Sequence, residues 1–461
     1  MATWKRVRGG LAAATVLAAA GAVQAQPDVM YLGAGSSGND IGHYGPVGNI
    51  RAYIFGTATC NAGPSNLAWV GFGSPSVGFN VYRLQGGRLV QLGQSWVKTA
   101  CCAATFGSCG GRTCNGASGN QLGSGCIDVY GSGWNANQTR LMPRSQVNPW
   151  TGQHGTIPGG SNTAISRRCQ VAISEFDPTN FPNAQYFIEG VYVADDEQPG
   201  PAKHNNASYQ RVAATSAGVL SSIPGAAMQV GQPAINAWRA HGGGPNVVDT
   251  SVHLQTVDVP NEGRFHVAHK VTDNGNGTWH YEYAIFNLNS HVAGGSLSIP
   301  VPTGVTISNV GFRDVDYHSG EPYDNTDWVI QVGSGSVTWH SPQTFAQNPN
   351  SNALRWGTMY NFWFDADAEP SDGEATLGLF RPHTPDSVTF TVGMPGGIVC
   401  QTDWNHDNII NSLDISVYVS HWLMCVENGD LGADFNGDGT VNSADISAFL
   451  TEWLNEVLVG C

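Results

Sequence analysis

The sequence predicts a mainly β protein: an antiparallel β-sandwich-like body in two parts, followed by a small α-helical module built on paired metal-binding loops. Three observations carry this reading. Gly occupies 59 of 461 positions while charged residues make up only 12%, a balance that opposes helical bundles and coiled coils. Short apolar runs rich in β-branched and aromatic residues alternate with Gly, Asn, Pro and Ser turns up to about residue 395. Two Asp/Asn-rich loops, each running into a helical apolar stripe, close the chain.

The composition also bounds function. A hydrophobic fraction of 41% supports real cores and excludes whole-chain disorder. The formal charge of -15 excludes nucleic acid as a partner, because such binders need a basic surface. At the N-terminus, Lys5, Arg6 and Arg8 precede an uncharged, Ala-rich run from Leu11 to Val23, and Val23-Gln24-Ala25 offers small residues where a signal peptidase reads. Residues 1–25 therefore read as a secretory signal peptide cleaved after Ala25, with an uncleaved anchor as the alternative. A bilayer span needs about 20 apolar residues, and no later stretch approaches that. The expectation is a secreted, extracellular or cell-surface-attached protein with no transmembrane helix after signal cleavage.

Export makes disulfides the default reading of cysteine. Cys60, Cys101, Cys102, Cys109, Cys114, Cys126 and Cys169 lie in the body; Cys400, Cys425 and Cys461 lie near the end. The stretch from Cys101 to Cys126 is poor in apolar residues, so cross-links would supply its order. Adjacent Cys101 and Cys102 are expected to pair with different partners. A zinc site around Cys109 and Cys114 is the alternative, although no CxxC pair or His cluster accompanies them.

Residues 26–215 read as a Cys-containing β-rich domain, with strands expected near Ile50–Phe55, Phe79–Leu84, Val90–Val97 and Tyr186–Val193. Residues 216–250 are rich in Ala, Ser, Gly and Pro and read as a connection. Residues 251–395 read as a β-sandwich-like domain. Trp279, Tyr281, Tyr283 and Ile285 alternate there with His280, Glu282, Ala284 and Phe286, after the turn signal Asp273 to Gly277. Residues 396–461 form the terminal module.

That module holds the specific motif. Residues 403–414 and 434–445 each place oxygen-bearing side chains at positions 1, 3, 5, 9 and 12 of a twelve-residue loop. Calcium is a hard cation that takes about six to eight oxygens. Alternate positions on a tight loop point inward, position 7 supplies a carbonyl, and position 6 needs a sharp bend, provided by Gly439 in the second loop and by Asn408 in the first. Ile410 and Val441, at position 8, are expected to join the loops through a short β contact. Each loop leads into one apolar stripe: Ile415, Tyr418, Val419, Trp422 and Leu423, then Ile446, Phe449, Leu450, Trp453 and Leu454.

On these residues, the segment from Cys400 to Cys461 resembles a type I dockerin, in the variant ending in Gly-Cys. The resemblance implies a calcium-dependent docking module with two ions. Its ligand pattern falls on Asp403, Asn405, Asp407, Asn411 and Asp414, with Ile409 contributing its carbonyl. In the second loop it falls on Asp434, Asn436, Asp438, Asn442 and Asp445, with Thr440 contributing its carbonyl. Loop positions 10 and 11 are implied to contact the partner; they are Ser412, Leu413, Ser443 and Ala444. The implied partner is a cohesin-like protein or another surface-anchoring protein. Residues 401–461 hold ten Asp or Glu and no Lys or Arg, so the module is expected to order only with calcium. Cys400 and Cys461 are candidates to clasp its ends, with Cys425 competing.

Candidate chemistry in the body is sparse. Gly33 to Gly38 matches GxGxxG, but the residues after it break helices, so a flexible turn is expected rather than a dinucleotide site. Asp314, Asp316 and His318, placed on one strand face, and Glu321, Asp324 and Asp327 after them, suggest a metal site or a carboxylate pair for glycoside hydrolysis. Asp365, Asp367 and Glu369 repeat the alternation. For both groups a solvated strand face and loop is the favoured reading. Trp134, Trp150, Trp339 and Trp363 are candidates for sugar stacking, against a core role. The catalytic residues remain unknown. The leading reading is a secreted calcium-binding protein whose module attaches a non-catalytic β-rich body to an extracellular assembly or cell surface. The alternatives are a module-borne hydrolase of polysaccharide catabolism and a carbohydrate-binding protein.

Overall fold

The computed structural model describes residues 26–35, 38–71, 73–159, 163–197, 200–396, 400–405 and 409–459. The expected signal peptide, residues 1–25, lies outside the described residues. Every strand pair in the body is antiparallel. No described helix is long and apolar enough to cross a membrane.

The two parts of the body stack as successive sheet layers. In the first, a seven-stranded sheet is built around Ser76–Gln85, Gln185–Val193 and Ala207–Ala214. Two central strands of this sheet are buried along almost their whole length, because both faces are covered. Val77, Phe79, Val81, Ile188 and Tyr192 pack with Val29, Tyr31 and Phe55 of the smaller outer sheets and with Trp69 beside them. The opposite face carries Tyr82, Leu84, Phe187, Val191 and Tyr209.

In the second part, two five-stranded sheets form a sandwich. Trp279–Asn287 occupies the centre of one sheet, and the alternation along it is read out as two faces. Tyr281, Tyr283 and Ile285 join Phe362, Phe364, Leu297, Trp339 and Phe390 in the sandwich core. Ala284 and Phe286 point the other way, into the core shared with Tyr82, Phe187 and Trp238 of the first part. Each buried large side chain contributes about 1.5–3 kcal/mol, so this shared apolar layer ties the two parts into one body. Residues 216–250 take part: the helix Asn236–His241 buries Trp238 in that layer.

Polar groups at the seam converge on one carbonyl. The Gly357 oxygen accepts from Asn80 Nδ2 at 3.1 Å, Gln91 Nε2 at 3.2 Å and Arg144 Nη1 at 3.0 Å. Gly357 has φ +71°, and a Cβ there would lie 2.3 Å from Arg144 Nη1, so both backbone and space demand glycine. Buried Glu189 accepts from Asn80, from the Tyr82 hydroxyl and from the Ala234 amide. Burial raises its pKa.

The cysteines correct one expectation. Cys60 pairs with Cys109 and Cys114 with Cys126, but Cys101 and Cys102 pair with each other. Cys102 has φ +60°, a local reversal that lets neighbouring side chains meet. With Cys109 and Cys114 in separate disulfides, the zinc alternative falls away. Cys169 is a buried free thiol, pushed up to about 12 by burial.

Candidate metal centre and docking module

Residues 400–459 form two loop-helix units related by a 31-residue repeat. The helices are Ser412–Asn428 and Ser443–Val459. Asn411 caps the first, its side chain accepting from Leu413 N at 2.7 Å, and Asp414 returns a bond to Asn411 N at 2.9 Å. Asn442 accepts from Ala444 N at 2.8 Å, and Asp445 from Asn442 N at 2.8 Å. Both are capping boxes. Asp414 and Asp445 reach further, accepting from Asn405 N at 3.3 Å and Asn436 N at 3.2 Å. Each position-12 carboxylate therefore spans its loop and starts its helix. Gly429, with φ +67°, ends the first helix in the left-handed region.

The helices meet through a small aromatic core of Tyr418, Phe449, Trp404 and Phe435, with Ile415, Val419, Trp422, Ile446 and Trp453 partly buried around it. Leu423, Leu450 and Leu454 were expected in the stripes but remain exposed. Leu423 and Leu454, eight positions after the start of each stripe, have rotated to its edge. The loops are not joined by a β contact: among the described residues no bridge links Ile410 and Val441. Indole donors do the joining instead. Trp422 Nε1 donates to the Asn442 carbonyl at 2.9 Å, and Trp453 Nε1 to the Asn411 carbonyl at 3.0 Å. Each helix thus holds the loop of the other unit. Glu456 accepts from Gln401 N at 2.8 Å, Thr402 N at 3.1 Å and the Thr402 hydroxyl, tying the entry of the module to its last helix.

The second loop is described throughout. Asp434 accepts from Asp438 N at 3.1 Å and Gly439 N at 2.7 Å, and Asp438 from Thr440 N at 2.9 Å and Thr440 Oγ1 at 2.6 Å. The Thr440 hydroxyl and amide hold the Asp438 carboxyl below its ordinary value. Gly437 and Gly439 take φ +70° and +84°, giving the bend that position 6 needs. In the first loop, Asp403 and Asp414 are buried and Ile409 is exposed; Asp407 and Asn408 lie outside the described residues. Among the described residues no group of three or more His, Cys, Asp or Glu is gathered as a metal cluster; the carboxylates of the second loop close on its amides. The donor chemistry nevertheless fits calcium. Every side-chain donor is oxygen, and residues 401–461 contain no Lys or Arg to neutralise the carboxylates. Ser412, Leu413, Ser443 and Ala444 are all exposed at the helix starts. Cys400 is in a disulfide. Cys425 is a buried free thiol, so it does not compete for Cys400, and Cys461 lies outside the described residues.

The model of the dockerin type I domain matches residues 401–450. The C-terminal segment is a type I dockerin. Such domains bind calcium, take a cohesin as partner and occur in extracellular cell-surface or cellulosome proteins. No curated protein matches the chain. Among solved structures, one described as manganese lipoxygenase of Gaeumannomyces graminis with part of zonadhesin of Komagataella pastoris is 8% identical, over 75% of this chain and 88% of that one, with TM-score 0.20. The B domain of a biofilm associated protein is 9% identical, over 76% and 82%, with TM-score 0.13. Neither likeness bears on the fold or activity of the body ahead of the dockerin.

Outside the dockerin, the sequence candidates take separate partners, except that Asp314, Asp316 and Asp327 lie near enough for their charges to act on one another. The strand Ile307–Arg313 ends before Asp314, so Asp314, Asp316 and His318 share no strand face. Asp314 accepts from Asn352 Nδ2, and burial pushes it up to about 6. His318 turns to the Gln94 carbonyl, 2.7 Å from its Nε2. Asp365 contacts His280 at 2.6 Å and Asp367 accepts from Thr306 N at 2.7 Å. Trp339 is core. Trp363 lies under Arg88 and against Gly311, where a Cβ would be 2.1 Å from its ring, so it offers no free face for a sugar. Trp134 stacks on Tyr130 and carries Arg140. Trp150 lies beneath the Lys203 ammonium. The GxGxxG segment leads into the strand Ile41–Val47 rather than a helix.

Sequence reasoning missed Glu456 and the paired indoles. The Trp422 and Trp453 repeat was visible as an apolar stripe, but periodicity does not reveal an N–H that needs an acceptor.

Proposed function

We propose that the dockerin holds two calcium ions, one per loop, and that the chain is a secreted protein whose dockerin fixes a non-catalytic β-rich body to an extracellular assembly or surface. The carrying observation is the exchange of indole bonds between the two units, which makes each loop's shape depend on the other. Asp403, Asn405, Asp407, Asn411, Asp414 and the Ile409 carbonyl would hold one ion. Asp434, Asn436, Asp438, Asn442, Asp445 and the Thr440 carbonyl would hold the other. Bound calcium supplies positive charge to a segment that has none of its own. The chain's part is to cap both helices with Asn411 and Asn442 and to present Ser412, Leu413, Ser443 and Ala444 to a cohesin-like or other surface-anchoring protein.

The non-catalytic reading of the body is supported by the structural employment of three of its candidate carboxylates: Asp314 with Asn352, Asp365 with His280, Asp367 with Thr306. Calorimetry of the full chain with calcium is expected to report two sites, and capture on immobilised cohesins is expected to vanish in EDTA. A single site, or capture indifferent to chelator, overturns the docking proposal. Reducing-sugar release from a polysaccharide panel replaces the non-catalytic body with a dockerin-borne hydrolase.

A further inference from the structure

Where the two parts of the body diverge at one end of their shared layer, they leave a cleft of about 620 Å³. The strand Trp279–Asn287 shows how it arises. On its seam face the apolar Phe286 and Ala284 give way to Glu282 and His280, and the layers part. Arg83, Arg88, Gly86, Gly87 and Phe181 line the cleft from one side, and Lys270, Thr272, His280, Glu282 and Arg313 from the other. Four of the chain's 20 Lys and Arg therefore meet at one opening of an acidic protein.

Each of these cations has a carboxylate partner, and for Arg88, Arg313 and Lys270 the cation is the more exposed of the two. Arg83 and Arg313 both pair with Glu175, Arg88 with Glu282, and Lys270 with Asp249 at 2.8 Å. Of the acids only Glu282 lines the cleft. Its side chain is 4% exposed against 28% for Arg88, and Glu175 is 21% exposed against 34% for Arg313, whereas Arg83, at 6%, is more buried than Glu175 and backs the cleft rather than facing it. His280, whose Nε2 lies 3.2 Å from Glu282 and Nδ1 2.6 Å from Asp365, has a raised pKa from those contacts.

The guanidinium planes are fixed by stacking. Arg83 lies over the Phe181 ring at 3.3 Å and Arg88 over Trp363 at 3.6 Å. Stacked faces leave only the N–H edges to bind, and Arg88 and Arg313, 28% and 34% exposed, present theirs at the cleft. Oxyanions are the acceptors that match planar guanidinium edges.

We propose that this cleft is an oxyanion-binding site, taking the carboxylate or sulfate groups of an acidic saccharide or the same groups as free ions. It goes beyond the docking reading and shares no residue with the dockerin, so either can fail alone.

Calorimetry of the full chain with inorganic sulfate, an oligogalacturonate and cellohexaose as neutral control tests it. Heat with the oligogalacturonate that falls with added salt, and none with cellohexaose, supports an acidic saccharide. Heat with sulfate alone supports a free ion. The double variant Arg88→Gln, Arg313→Gln is expected to lose about tenfold in affinity or more. Because that variant breaks ion pairs, phenylglyoxal labelling of the unaltered chain gives an independent reading: the bound probe should shield Arg88 and Arg313. Silence with both anions, equal binding of cellohexaose, a folded double variant that binds undiminished, or unshielded arginines overturns the proposal.

Discussion

Tyr418 and Phe449, equivalent positions of the two dockerin units, lie face to face with ring centroids 4.0 Å apart and planes inclined by 2°. Both are fully buried, and with Trp404 and Phe435 they make up most of what the dockerin has for a core. A core this small has no redundancy. Phe449→Ala should cost about 3–5 kcal/mol, as much as many small domains possess in total. The expected outcome is loss of the dockerin helices by circular dichroism while the body's melting transition stays in place.

Calcium removal should have the same endpoint by a different route. With ten acidic residues and no Lys or Arg in residues 401–461, the metal-free module is self-repelling. Ligand linkage gives about 2.7 kcal/mol per ion at a hundredfold excess over Kd. Chelator should therefore lower helicity, and the dockerin melting temperature should climb with calcium concentration. Helicity indifferent to EDTA contradicts this.

Glu456 is the module's own clasp, with two amides and a hydroxyl on one carboxylate. Glu456→Ala leaves the buried Thr402 donor without its acceptor and should cost about 1–3 kcal/mol. Amide exchange at Gln401 and Thr402 should accelerate by a corresponding factor, with little change at Tyr418.

The helices of the dockerin and the place of its loops were legible because helical periodicity and the spacing of Asp and Asn residues are local properties. The strands of the body were legible in part for the same reason: Tyr281 and Tyr283 alternate with Glu282 and Ala284. What their second face meets was not, since Phe286 against Phe187 and Trp238 is a contact between distant segments. The two central strands Ser76–Gln85 and Gln185–Val193 gave no alternation to read, being buried on both faces. The carboxylates were open to a metal or catalytic reading, beside the favoured solvated face, for a related reason. Spacing shows that Asp365 and Asp367 share a face, but not that His280 and Thr306 already occupy them.

His318 links stability to pH. Burial holds it neutral, its pKa lowered to about 4 against an ordinary value of about 6.5. Between those values the unfolded chain takes up a proton that the folded chain refuses. Stability should therefore be complete above the upper value and fall with pH at about 1.4 kcal/mol per unit for this group. His266 and His269, lowered to about 3 and about 4 by burial, add to the same slope. Denaturant titrations from pH 7 to pH 4 should show the decline, and His318→Gln should make it shallower.

Gly357→Ala tests the seam. The new methyl group would press on Arg144 Nη1 from a backbone with φ +71°, and strain at such a residue costs about 1–3 kcal/mol. The melting temperature of the whole body should drop as a single transition. Two separated transitions contradict a shared core.

The carbonyl that takes bonds from Asn80, Gln91 and Arg144 also governs how the protein comes apart. A protease nick between residues 216 and 250 severs the chain but not the layer beneath it, so the fragments should co-elute as a non-covalent pair. Anything gripping the dockerin would then retain both halves in equal amounts, and shedding the N-terminal half would require denaturation rather than cleavage.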